Sequence, residues 1–176
     1  MPEAVIVATA RSPIGRAGKG SLVSMRPDDL AAQMVRAVLD KVPALNPREI
    51  DDLMKGIRLG IDVFDCAVPT RLARHGMALA PDPETRFRMN LRRSDMVGDR
   101  LPLVEGCPCV ACRDYDRDYI NYISRSEELT AVRLMVEHNL TYMEEMMAGA
   151  RKAITAGTYG SYSAAVLDGK APWDAL

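Results

Sequence analysis

Apolar and polar positions along the chain predict a strand-and-helix front and a helical back. Ala4-Val5-Ile6-Val7-Ala8-Thr9-Ala10 is a continuous β-branched apolar run, which predicts a strand covered on both faces. Arg11-Ser12-Pro13-Ile14-Gly15 ends it. Leu30, Met34, Val35, Val38 and Leu39 then recur at helical spacing behind Pro27-Asp28-Asp29, predicting a helix from about Pro27 to Lys41. Asn46-Pro47-Arg48-Glu49 repeats that start signal, and Ile50, Leu53, Met54 and Ile57 carry a second helix to Gly60.

Ile61 to Cys66 predicts another strand, closed by Pro69, and Arg71 to Glu84 reads as loop. Phe87, Met89 and Leu91 alternate with Arg86, Arg88, Asn90 and Arg92, the period of a half-exposed strand. A cysteine-bearing loop follows from Gly98 to Arg113. Beyond it the spacing is helical: about Asp114 to Ile123, then a long helix capped by Ser126 and reaching Ala156 before Gly157. A short final helix is predicted at Tyr162 to Leu167.

Composition narrows the classes. The 176 residues are 48% hydrophobic and 27% charged, the balance of a globular protein. Lys and Arg total 23 against 24 Asp and Glu, so coating of nucleic acid by bulk positive charge is excluded, while a local basic patch is not. No apolar run approaches the ~20 residues of a membrane span, and Met1 to Arg11 lacks the basic start of a secretory signal. A cytoplasmic location is expected.

The cysteines add chemistry. Of four, Cys107, Cys109 and Cys112 form a C-x-C-x-x-C run and Cys66 stands apart. Reduced thiols this close suggest a metal before a disulfide. Tetrahedral zinc needs a fourth donor, and of the two histidines His138 lies on the long helical stretch whereas His75 sits in a Gly- and Arg-rich loop. Cys107, Cys109, Cys112 and His138 are therefore the expected Zn2+ ligands, a closed set with no position for substrate. The competing reading is three buried thiols beside a core histidine.

Two longer stretches resemble known families. Gly60-Ile61-Asp62-Val63-Phe64-Asp65-Cys66-Ala67-Val68-Pro69-Thr70-Arg71, the C-x-C-x-x-C run and Glu137-His138-Asn139-Leu140 resemble the C-terminal part of bacterial tRNA-guanine transglycosylase, from about Gly56 to the end. The likeness implies an enzyme family that exchanges guanine at the tRNA wobble position for a queuosine precursor, through a covalent enzyme–RNA intermediate. By that likeness Asp65 is the nucleophile, at the end of a barrel strand. Thr70, Arg71 and Arg74 match the stretch that contacts the anticodon loop. Arg86, Arg88, Arg92 and Arg93 add nearby charge, equally readable as an exposed strand face.

Residues 1 to about 54, with Ala4 to Gly15 and the two helices through Asp52-Leu53-Met54, resemble the start of a thiolase. Its chemistry is missing: no cysteine precedes Cys66, and neither a Gly-His-Pro nor a Cys-x-Gly-Gly-Gly element occurs. The expected architecture is α/β: a thiolase-like segment (1–54), a partial (β/α)8 barrel remnant with the RNA-contact loop (55–96) and a helical zinc-binding subdomain (97–176). The transglycosylase likeness implies that the purine pocket and second catalytic aspartate belong to family parts this chain does not match, so little or no turnover is expected of it alone. The alternative is a non-catalytic zinc module that binds RNA or dimerises, with Leu134, Leu140, Met143, Met146 and Met147 as an apolar face.

Overall fold

The computed structural model describes residues 50–176 apart from Val63 and Asp65. The expected first strand, the helix of residues 27–41 and almost all of the thiolase-like segment lie outside the described residues. Contact density divides the chain into two units, Met1–Phe64 and Asp65–Leu176.

In the first unit the described helix is α1, Ile50–Arg58, with Lys55 and Arg58 in its last turn, where cations complement the helix dipole. Gly60 follows at φ 89°, a left-handed value that glycine adopts without a Cβ clash. Ile61, Asp62, Phe64 and Cys66 belong to no strand, contrary to the expectation for 61–66. A strand exists only through a ladder partner, and among the described residues none lies alongside.

The second unit is mainly helical with one small sheet. Helix α2 spans Val68–Arg74, with Pro69 in its first turn, where the missing N–H costs nothing. Strands β1 (Met77–Leu79) and β2 (Arg88–Asn90) pair antiparallel with Ala78 opposite Met89. The loop expected over 71–84 is thus half helix and strand. No parallel pair occurs among the described residues, so the sheet expected of a barrel remnant is not seen there.

A short 3-10 turn at Ser94–Met96 and four α-helices complete the unit: α3 (Val110–Asp114), α4 (Arg117–Arg125), α5 (Leu129–Thr155) and α6 (Tyr159–Leu167). Asp116 caps α4 by accepting the Tyr119 N–H at 2.8 Å. Ser126, expected to start the long helix, instead ends α4, because Glu127 turns left-handed at φ 57° and separates the two helices. Helix α5 packs against α2, α3, α4, α6 and β1, so it is the spine of the unit. Leu91, Leu103, Ile120, Leu134 and Met135 fill the core around it, together with the cysteine loop. None of the described helices is long and apolar enough to cross a membrane.

Candidate metal centre

Three elements bring the donors together. Helix α3 begins at the cysteine run: Cys109 is its N-cap, and its Sγ accepts the Cys112 N–H at 3.3 Å. One turn of helix therefore fixes the Cys109–Cys112 spacing. The Cys112 Sγ accepts the Val104 N–H at 3.5 Å, tying the loop before α3 to the same sulfur. Helix α5 supplies His138, fully buried at 0% exposure.

The His138 Nδ1 lies 3.6 Å from Cys107 Sγ, 3.5 Å from Cys109 Sγ and 3.3 Å from Cys112 Sγ. All four donor atoms fall within 4.8 Å of one another. Zinc with bonds of about 2.3 Å to sulfur and 2.0 Å to nitrogen separates S from N by about 3.5 Å in a tetrahedron. The donors fit that ion. Thiolates with one imidazole select zinc over oxygen-seeking magnesium or calcium, and four protein donors leave no open position, the pattern of a structural site.

The ring is oriented from behind. His138 Nε2 lies 2.9 Å from the Leu79 carbonyl oxygen, which can only accept, so Nε2 carries the proton and Nδ1 presents its lone pair to the sulfurs. Hydrogen bonds from the Cys107 and Cys112 thiols hold the Cys109 thiol far below its ordinary value, and the Cys107 thiol is driven far up as the partner that keeps its proton. Burial disfavours a charged His138, but the neighbouring Cys109 and Cys112 sulfurs outweigh it and raise the imidazole to about 9. Of the donors, Cys109 is the one held as thiolate, so binding a metal would release the protons that Cys107 and His138 retain.

His75 is exposed at the end of α2 and is not in this cluster, as expected of a loop histidine. Thr70, Arg71 and Arg74 all lie on α2; the arginines are exposed while Pro69 and Ala73 face inward. Asp65 lies outside the described residues. Of the expected apolar face, Leu134 and Met146 are core and only Leu140 is well exposed, at 44%.

Two contributors escaped the sequence reading. Leu79 acts through its carbonyl, which no side-chain pattern reports. Asn139 is fully buried with every polar atom used: its Oδ1 accepts the Leu79 N–H at 2.7 Å, and its Nδ2 donates to Pro69 O at 2.9 Å and Met77 O at 3.1 Å. A polar residue beside His138 on a helix with a largely apolar buried face was the available signal.

Comparison with known proteins agrees with the motifs. The family model described as TGT, queuine tRNA-ribosyltransferase, matches residues 9–171. The queuine tRNA-ribosyltransferase of Symbiobacterium thermophilum is 36% identical over 157 residues, covering 86% of this chain and 38% of the relative. The corresponding protein of Rhizobium meliloti is 38% identical over 157 residues, covering 85% and 40%. That of Agrobacterium fabrum is 36% identical over 155 residues, covering 85% and 40%. The chain thus spans about two fifths of the length of these relatives. The match starts at residue 9 and runs through residues 54–56, where the two resembling stretches meet; a thiolase likeness for residues 1–54 is not part of it. With its zinc-compatible Cys3His cluster inside the matched span, the chain belongs to the queuine tRNA-ribosyltransferase family.

Proposed function

We propose that this chain is the zinc-organised C-terminal portion of a tRNA base-exchange enzyme, with α2 as its anticodon-loop contact. The observation that carries the reading is α2 itself: a seven-residue helix, too short to stand alone, with its inner face packed on the zinc-bearing helix and Arg71 and Arg74 exposed. Guanidinium groups make paired hydrogen bonds to phosphates and stack on splayed bases, which suits a single-stranded loop. Thr70, half-buried with its hydroxyl donating to Ala67 O at 3.2 Å, steadies the first turn.

In this proposal Cys107, Cys109, Cys112 and His138 hold zinc, which supplies structural cross-linking and no chemistry to the substrate. Asp65 is the nucleophile: its carboxylate bonds to ribose C1′ as the glycosidic bond breaks, and guanine leaves with the electron pair and takes a proton from an acid. Residues 55–96 are the remnant of the barrel that would complete the purine pocket. Because this chain matches only part of the family, it exchanges little or no guanine unless the remaining barrel is supplied. The thiolase-like reading of residues 1–54 carries no activity, since that segment contains no cysteine nucleophile. A tRNA substrate places the protein in the cytoplasm.

Titration with an anticodon stem-loop tests this reading. Binding should weaken steeply with salt, and Arg71→Ala with Arg74→Ala should flatten that slope by about one phosphate contact or more. Binding that is salt-independent, or unchanged in the double variant, rejects it. Exchange of labelled guanine into tRNA by the chain alone, abolished by Asp65→Asn, rejects the inactive-fragment part.

A second role as a dimerisation module is favoured by one observation. Tyr115 and Tyr119 stack with ring centres 5.1 Å apart on the surface, and Tyr122 nearby on α4 is 67% exposed. We propose this tyrosine face, rather than the largely buried α5 stripe, as the contact with a second copy; sedimentation of Tyr119→Asp against wild type tests it.

A further inference from the structure

Three hydrogen bonds run from His138 through Leu79 and Asn139 to the arginine helix, and a fourth ties Asn139 to β1. His138 Nε2–H donates to Leu79 O at 2.9 Å, and the N–H of the same Leu79 donates to Asn139 Oδ1 at 2.7 Å. Asn139 Nδ2 then donates to Met77 O at 3.1 Å and to Pro69 O at 2.9 Å. Pro69 lies in the first turn of α2, two residues from Arg71. His138 and Asn139 are adjacent on α5, and both are wholly buried.

We propose that Asn139 is a positioning residue for RNA recognition, which makes the pose of Arg71 and Arg74 depend on the metal centre; this rests on the RNA reading above. The physical argument starts from α2. Seven residues cannot hold a helix in water, so docking on α5 sets where its arginines point. The docking is apolar at Pro69 and Ala73, and apolar contacts are not directional. The Asn139 amide supplies direction, because a buried bond to one carbonyl of α2 is lost if the helix slides or rotates. Asn139 also holds β1 at both Met77 and Leu79, and Leu79 is the residue that orients His138. A change at the metal is therefore felt at Leu79, passes to Asn139 within the same strand contact, and reaches α2 at Pro69. By linkage the effect is reciprocal: bound RNA must hold the metal more tightly.

The test uses the full chain with zinc bound and an anticodon stem-loop as probe. Asn139→Asp keeps an acceptor for the Leu79 N–H and removes both donors. Its zinc content should stay at one ion per chain while stem-loop affinity falls about tenfold, the usual scale of coupling between sites. In an Arg71→Ala, Arg74→Ala background the same change should cost less than twofold, because the arginines it positions are gone. Wild-type affinity in zinc-loaded Asn139→Asp, or an equal loss in both backgrounds, overturns the inference. Should that variant not fold, wild-type protein decides through reciprocity: the stem-loop should slow zinc transfer to a chromophoric chelator severalfold, and should not in the double arginine variant. An unchanged transfer rate overturns the inference. Wild-type protein that binds no stem-loop removes the RNA reading and this inference together; stem-loop binding without coupling removes the inference alone.

Discussion

The imidazole of His138 and the backbone of Leu79 form one unit: Nε2–H donates to the Leu79 carbonyl at 2.9 Å while Nδ1 faces three sulfurs 3.3 to 3.6 Å away. A bond of this kind fixes ring orientation and tautomer, so the metal geometry is set by strand β1 as much as by the helix that carries the ligand. His138→Ala should therefore abolish stoichiometric zinc and lower the melting temperature sharply, since structural zinc in small modules is worth about 10 kcal/mol or more. Zinc content and circular dichroism on the same sample check this. Retained metal with unchanged melting contradicts it.

Tyr142 lies one turn beyond His138 and is fully buried, and its hydroxyl has no partner among the described residues. Its ring is anchored independently, edge-on to Trp173 with centres 5.9 Å apart. Burial of an unpaired hydroxyl costs about 1–3 kcal/mol, so Tyr142→Phe should be neutral or stabilising by up to about 1 kcal/mol. Denaturant unfolding reads the sign; a loss above about 1 kcal/mol would mean that the hydroxyl is bonded.

At Gly149 on α5 the side chain of Tyr162 from α6 lies directly against the helix. A Cβ there would overlap the Tyr162 ring and hydroxyl, and that hydroxyl donates to Met146 O at 2.8 Å. Because Tyr162 is 2% exposed, it has little room to retreat. Gly149→Ala should destabilise by about 1–3 kcal/mol despite its better helix propensity, as overpacking does. A thermal melt as stable as wild type would show that α6 can shift.

Asp116 gives a pH signature. The Tyr119 N–H and then the Arg100 side chain hold its carboxyl below the usual carboxylate range. A depressed folded value means the stabilisation is fully present above the unfolded value near 4 and disappears as pH falls through the folded one. Asp116→Asn keeps an N-cap acceptor but not the charge, so its deficit against wild type should be present at pH 6 and shrink as the pH falls below about 4. Chemical denaturation on both sides of that value checks the sign, and a deficit that grows on acidification contradicts it.

The sequence disclosed the metal quartet because its requirement is local: three thiolates within one turn of a tight loop, plus one histidine on a helix with a buried face. The helical back was legible for a similar reason, since apolar spacing follows from burial against a single spine. Ile61–Cys66 misled because a strand is defined by its neighbours, and none lies beside its described residues. Ser126 misled because the helix break falls at Glu127, whose left-handed backbone no composition announces. Leu79 and Asn139 were invisible as a pair, because a backbone N–H bonded to a side-chain amide 60 positions away is a property of the fold.

Native mass spectrometry of the intact chain, with Cys109→Ser in parallel and a chelator titration monitored by circular dichroism, is the most direct check on the central claim. One zinc per wild-type chain, none in the variant, and loss of helical signal as metal is withdrawn is the expected result. A metal-free wild-type protein that keeps its fold in excess chelator would contradict it.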